Sequence, residues 1–353
     1  MLKTIWIRLL ALSGLLKFLR WYNRDRILIL CLHSVVDAAK LSWQPLRTVF
    51  SVDLLRNQLD VISRYYTWIS LDHAVDIVRG KAPPVANGVV LTFDDGYRNN
   101  MSVALPELER HSVEPTFYVT TAFLNNRQTY WFERLDYAIQ QLQTTEQVRL
   151  HGRAFRFVPG NRNSQRAAYA ALRNLAKAHF DDDREFYAFF NDVTGRLERA
   201  TGKALADVQA GDPCSETLSD EDLHVLSESR RTTIGSHTVD HFRLDKVDAD
   251  VCANQLTESR RYIENATGAP CRHFCYPNGN WNRAVADAVA AAGYDSAVTT
   301  RGGFNSAGDD PYTLRRLHMP QTDDENRLLF FLSGFGELKD RLVSSLRIRR
   351  QRT

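Results

Sequence analysis

The feature that most constrains this chain is a series of short apolar runs. Each closes on a polar residue and is separated from the next by an amphipathic segment. Residues 26–33 (RILILCLH) read as a parallel strand buried on both faces, and 88–93 (GVVLTF) as a second. Residues 52–65 and 71–78 repeat apolar positions at helical spacing, and 103–110 do the same ahead of a third strand at 115–119. Later strands are expected at 232–236, 272–276, 296–299 and 312–318. Helices at 251–265 and 283–292 lie among them, the second closed by Gly293 as a C-cap. Such alternation builds parallel βα units, and several in series predict a barrel.

Residues 124–215 break the pattern. They are rich in aromatic, Arg and Ala positions, as in AAYAALRNLAKAHF, and show no convincing alternation, so they read as a helical insertion between the third and fourth strands. The chain then divides into an N-terminal helix (1–26), a first barrel part (27–123), the insertion (124–215), a second barrel part (216–322) and a C-terminal tail (323–353).

Composition narrows the function. With 44% hydrophobic and 25% charged residues, the chain is ordinary globular protein. Five cysteines exclude a disulfide-built scaffold, and a net charge of +3 gives no sign of a nucleic-acid binder. Cys271 and Cys275 read as small buried hydrophobes. Residues 1–30 and 338–353 each carry a net +5, leaving an acidic body, so either end could meet anionic lipid or simply be solvated. The longest uncharged run near the start, 9–16, is too short to span a bilayer. Residues 1–22 therefore read as an interfacial amphipathic helix, with a core-docking helix as the alternative. No cleavage site precedes residue 27, and the uneven cysteine count suits a reducing compartment. The expected location is the cytoplasm, peripheral on the inner face of the inner membrane.

The strand ends carry the chemistry. Thr92-Phe93-Asp94-Asp95-Gly96 sets two adjacent carboxylates where a buried strand stops; successive residues point apart, so one can bind a metal while the other faces a substrate. Ser236-His237-Thr238-Val239-Asp240-His241 offers two histidines at i and i+4, read as one face of a helical turn suited to a divalent metal. Asp, His and His together make a His₂-carboxylate set with open positions. Phe274-Cys275-Tyr276-Pro277-Asn278-Gly279 ends a strand in a turn. His318 closes the last strand and His33 the first.

In this order, TFDDG, H-x₃-H, F-x-Y-P-x-G and a terminal strand with histidine resemble the polysaccharide deacetylases, the NodB-homology proteins of carbohydrate esterase family 4. The resemblance covers residues 27–122 and 216–320, and ILCLHSV with YWFERLDYAI is similar to a bacterial subgroup tied to surface and exopolysaccharide synthesis. It implies a distorted (β/α)₇ barrel and a divalent metal, zinc or similar, on Asp95, His237 and His241. Asp94 would be the general base, His318 the general acid, and the Asn278 N–H an oxyanion donor, with Tyr276, Arg316 and His33 lining the site. One position departs from the pattern. Many members place an Arg two residues before the Pro of the third motif, where it orients the base; Cys275 stands there, and Arg316 is the candidate to reach in instead. The implied reaction is metal-dependent removal of N-acetyl groups from a sugar of a bacterial polysaccharide or its lipid-linked precursor. An O-acetyl sugar esterase and an inactive glycan-binding protein are the alternatives.

Overall fold

The computed structural model describes residues 2–229 and 231–336. Seven strands form its central parallel sheet: β1 Leu28–Leu32, β2 Gly88–Phe93, β3 Thr116–Val119, β4 Thr233–Ser236, β5 His273–Cys275, β6 Ser296–Val298 and β7 Leu317–His318. They run in the order β6-β5-β4-β3-β2-β1-β7, and a short strand Thr67–Trp68 joins beside the start of β2. A parallel bridge from Val298 to Leu314 links β6 toward β7, so the sheet curls into a half-barrel that only a short contact closes. This is the distorted (β/α) barrel that the resemblance implies, and the barrel that the alternation predicts.

Strand alternation sorts the side chains. Leu28, Leu30 and Leu32 of β1, with Val89, Leu91 and Phe93 of β2, join the large core beneath the surrounding helices. Ile29 and Val90 point the other way, into the barrel with Tyr118, Cys275 and Val298, where the helix Leu71–Val78 plugs one end. The alternation carries Thr92 and Asp94 inward after Val90. The helix Val52–Tyr65 starts where Ser51 Oγ accepts from the Leu54 N–H at 3.2 Å, and it buries Leu55, Leu59 and Ile62 on one stripe. Fully burying each such side chain contributes roughly 1.5–3 kcal/mol.

The register decides where the polar strand ends meet. Leu32 pairs with Phe93, Val119 with Ser236, Cys275 with Val298, and Cys31 with His318. His33, Asp94, His237, Tyr276 and His318 therefore emerge along one rim.

Three expectations are corrected. Residues 312–318 are not one strand, because Pro311–Thr313 is a 3₁₀ turn whose start Asp310 caps through the Tyr312 N–H; Leu314 makes an isolated bridge, and the strand is Leu317–His318. The 237–241 segment is not a helical turn. Thr238 and His241 take left-handed φ of 70° and 61°, and a loop brings the two imidazoles together. The insertion is not purely helical. Between its helices Trp131–Gln140, Arg162–His179 and Asp183–Thr201 stands an antiparallel hairpin, Glu146–Leu150 with Arg153–Phe157, turned by His151-Gly152 at positive φ. Val148, Phe155 and Phe157 of that hairpin join Leu172, Phe190 and Leu197 in a core cluster that the insertion largely makes for itself.

The N-terminal segment is two helices, Leu2–Leu12 and Leu15–Tyr22, joined at Gly14 (φ 78°). Ile7, Leu16 and Leu19 are buried, while Trp6, Leu9, Leu12, Phe18, Trp21 and Tyr22 remain exposed. One stripe docks on the body of the protein and another faces outward. No helix among the described residues is long and apolar enough to cross a membrane. Residues 337–353, which hold most of the basic tail, lie outside the described residues.

Candidate active site

Asp95 is the second residue past the end of β2. It adopts a left-handed φ of 76°, followed by Gly96 at 71°, and Tyr130 of the insertion fixes the turn by donating its hydroxyl to the Asp95 carbonyl at 2.6 Å. The turn aims Asp95 Oδ1 at His237 Nε2 (3.5 Å) and His241 Nε2 (3.4 Å). One ligand atom from each of the three lies within 4.8 Å of the others. His237 Nδ1–H donates to the Cys275 carbonyl at 2.7 Å, which leaves Nε2 as the free lone pair. Tyr187 of the insertion donates to the His241 carbonyl at 3.0 Å and lies 3.4 Å from its Nδ1.

Asp95 Oδ1 is buried and has no hydrogen-bond partner among the described residues. Burial alone would raise the Asp95 carboxyl, but the two imidazoles hold it well below the usual range. An ionised, orphaned oxygen facing two imidazole nitrogens fits a divalent cation, and the donor set suits zinc or a neighbouring transition metal without choosing among them.

Asp94 stands beside this cluster, 3% exposed, and Arg316 holds it from inside the barrel. The Arg316 guanidinium donates to both carboxylate oxygens at 2.7 Å, to Thr92 Oγ1 at 3.0 Å and to the Thr299 carbonyl at 2.9 Å. Burial raises the Asp94 carboxyl, and Arg316 outweighs it, so Asp94 is held far below its ordinary value. Cys275 is more than a packing residue, since its Sγ lies 3.2 Å from Arg316 Nη2; a small side chain there leaves room for the guanidinium arriving from β7.

The other predicted residues also meet at this rim. His318 stands at the exposed rim with its ring partly desolvated, stacked 5.8 Å from that of His33 with Nδ1 3.4 Å from Cys31 Sγ; that desolvation, then His33 and Arg316, lower its pKa. Tyr276 is fully buried and spends its hydroxyl on the Tyr312 carbonyl, so it lines the site by its body. Asn278 sits in the Pro-x-Gly turn at φ 62°, and no backbone acceptor takes its N–H among the described residues. All nine residues border or line one cavity of about 350 Å³, Arg316 from beneath through Asp94. Sequence reasoning missed its far wall, where the insertion contributes Trp131, Phe132, Tyr169, Arg173, Lys177 and Tyr187. Nothing local in the sequence marks these as site residues.

A parallel half-barrel with a buried Asp-His-His cluster and an arginine-held carboxylate at its strand ends has the form of a hydrolase centre. The family model for polysaccharide deacetylases matches residues 81–206 and 179–297, and the chain belongs to that family of enzymes. Among curated proteins it is similar to the putative polysaccharide deacetylase YxkH of Bacillus subtilis, 26% identical over 102 residues. That match spans 29% of this chain and only 36% of the relative. Two solved structures share the fold. One is the Streptococcus pyogenes deacetylase PplD in complex with acetate, at TM-score 0.55 and 16% identity over 88% of this chain and 99% of that one. The other is IcaB from Ammonifex degensii, at TM-score 0.55 and 16% identity over 88% and 97%.

Proposed function

We propose that the protein is a metal-dependent deacetylase that removes N-acetyl groups from a sugar of a bacterial polysaccharide or of its lipid-linked precursor. The observation that carries this reading is the orphaned Asp95 oxygen facing His237 and His241, next to a carboxylate fixed by Arg316. Asp95, His237 and His241 would hold a divalent cation, which would supply Lewis acidity toward the amide carbonyl and toward water. Asp94, ionised throughout the working range, accepts a proton from the water that attacks the acetamide carbon. The Asn278 N–H donates to the oxygen that gains charge, and His318 delivers a proton to the departing nitrogen, which leaves poorly as an anion. The aromatic wall from the insertion shields the reacting centre from water and offers faces for sugar rings. Membership of the polysaccharide deacetylase family, with a fold shared with the deacetylase PplD, supports a glycan substrate.

We infer in addition that the N-terminal helical pair holds the protein at the inner face of a membrane. Its exposed aromatic and leucine side chains stand among the exposed Arg8 and Lys17, an arrangement suited to the interface of an anionic bilayer.

The test is to measure bound metals by mass spectrometry on protein purified without added metal, beside His237→Ala/His241→Ala. About one equivalent of a transition metal lost in the variant, with acetate released from an N-acetylated oligosaccharide, is the expected result. No metal bound and none taken up on titration would overturn it.

A further inference from the structure

We propose that the helix Arg162–His179 carries a subsite for an anionic group on the substrate, a carboxylate or a phosphate, bound by Arg173 and Lys177. This rests on the deacetylase reading and narrows its substrate class.

Four residues apart, Arg173 and Lys177 share one face of the helix, and both line the cavity that holds Asp95 and His318. The other cations there are matched. Arg243 donates to Asp183 at 2.7 Å, Arg47 pairs with Glu133, and Arg316 is held by Asp94. Neither Arg173 nor Lys177 forms an ion pair with a carboxylate among the described residues; the nearby Asp183 is taken by Arg243. Lys177 Nζ donates to the side-chain oxygen of Asn278 at 2.5 Å, a neutral partner. Arg173 Nε is buried without a hydrogen-bond partner, its guanidinium 5.9 Å from the centre of the Tyr169 ring. Two half-buried like charges at i and i+4 repel, and an anion between them would remove that cost. Lys177 already shows it: burial, then Arg173 and Arg243, push its pKa down to about 8, against the opposing Asp183.

Placement ties the subsite to the reaction. Asn278, which Lys177 contacts, is the residue whose N–H faces the acetamide oxygen in the proposed reaction. The anion would therefore sit on the reacting sugar or the one beside it. A planar guanidinium and an ammonium recognise carboxylate and phosphate oxygens alike, and a neutral N-acetylhexosamine polymer offers neither.

The test titrates the whole chain calorimetrically with three probes: N-acetylglucosamine 1-phosphate, an N-acetylglucosamine–glucuronate tetrasaccharide, and neutral diacetylchitobiose. The proteins are wild type, Arg173→Gln/Lys177→Gln, and Arg173→Lys, each checked by thermal melting. One charge-assisted hydrogen bond is enough for about a tenfold preference for an anionic probe over chitobiose. That preference should vanish in the double variant and survive in Arg173→Lys. Tighter binding of the phosphate points to a phosphate-linked sugar, and of the uronate to an acidic polymer. Equal or weaker binding of both anionic probes, no binding of either, or a preference that persists in the double variant, overturns the subsite. Acetate release in the same samples reads the reaction separately. Release without anion preference removes only the subsite, and anion preference without release removes only the hydrolase.

Discussion

Asp94 and Arg316 show how one pair of charges is kept inside a barrel. Both are essentially buried, and each satisfies the other through two parallel hydrogen bonds, with Thr92, the Thr299 carbonyl and Cys275 Sγ taking the remaining three donors. Breaking such a pair from one side leaves an uncompensated buried charge, at a cost of about 3–5 kcal/mol. Arg316→Met should therefore lower unfolding free energy in urea by that order and abolish turnover, because Asp94 loses its orientation. Arg316→Met/Asp94→Leu should recover much of the stability and none of the activity. Asp94→Asn should keep the bound metal and lose roughly 10²–10⁴-fold in acetate release, the range of a general base; full turnover in that variant would remove Asp94 from the role. The TFDDG and H-x₃-H residues were legible because their types and order carry the chemistry. Arg316 was legible only as a candidate, since nothing in Leu314-Arg315-Arg316-Leu317 tells which arginine points inward. The strand register decides it: Arg316 enters the barrel, while Arg315 bonds outward to Asp309 and the Phe304 carbonyl.

Among the elements, the strands were read more reliably than what joins them. A buried strand announces itself by an unbroken apolar run, whereas the 237–241 loop, the turn at Pro311–Thr313 and the insertion's hairpin depend on local backbone conformations that pattern does not reveal. Close strand packing gives one sharp test. A Cβ on Gly235 of β4 would lie 2.6 Å from the Tyr118 ring and 2.8 Å from the His273 carbonyl, on the two neighbouring strands. Gly235→Ala should cost about 1–3 kcal/mol in denaturant unfolding, the usual penalty for overpacking. A variant without that loss would mean the three strands are less tightly stacked than described. The N-terminal pair gives another test. Sedimentation with phosphatidylglycerol vesicles should capture the protein, phosphatidylcholine vesicles should capture less, and Trp6→Ser/Leu9→Ser/Phe18→Ser/Trp21→Ser should weaken capture severalfold. Equal capture of the variant would exclude these side chains as the membrane contact.

For the molecule as a whole, the site is shared between a barrel and the insertion packed over it, and its charge balance follows from both. Lys177 comes from the insertion, and the groups facing it are Arg173 on its own helix, Arg243 and Asn278 from the barrel loops, and Asp183. Its pKa falls from 10.5 unfolded to about 8 folded, so between those values the unfolded chain binds more protons. Stability relative to Lys177→Met should therefore rise as pH climbs through that window, while affinity for an anionic probe falls above about pH 8. Urea unfolding and calorimetry at neutral pH and near pH 10 check both signs, and a flat difference would mean that Lys177 is not desolvated in the fold. By itself the sequence determined the βα alternation, the family and the candidate Asp-His-His group, because buried strands, paired carboxylates and spaced histidines are local patterns of residue type. Tertiary structure alone decided that Arg316 holds Asp94, that Tyr130 and Tyr187 brace the Asp-His-His cluster, and that Arg173 and Lys177 line the cavity. Those are contacts between residues tens to hundreds of positions apart, set by strand register and by how one core packs on another, and no window of sequence encodes them.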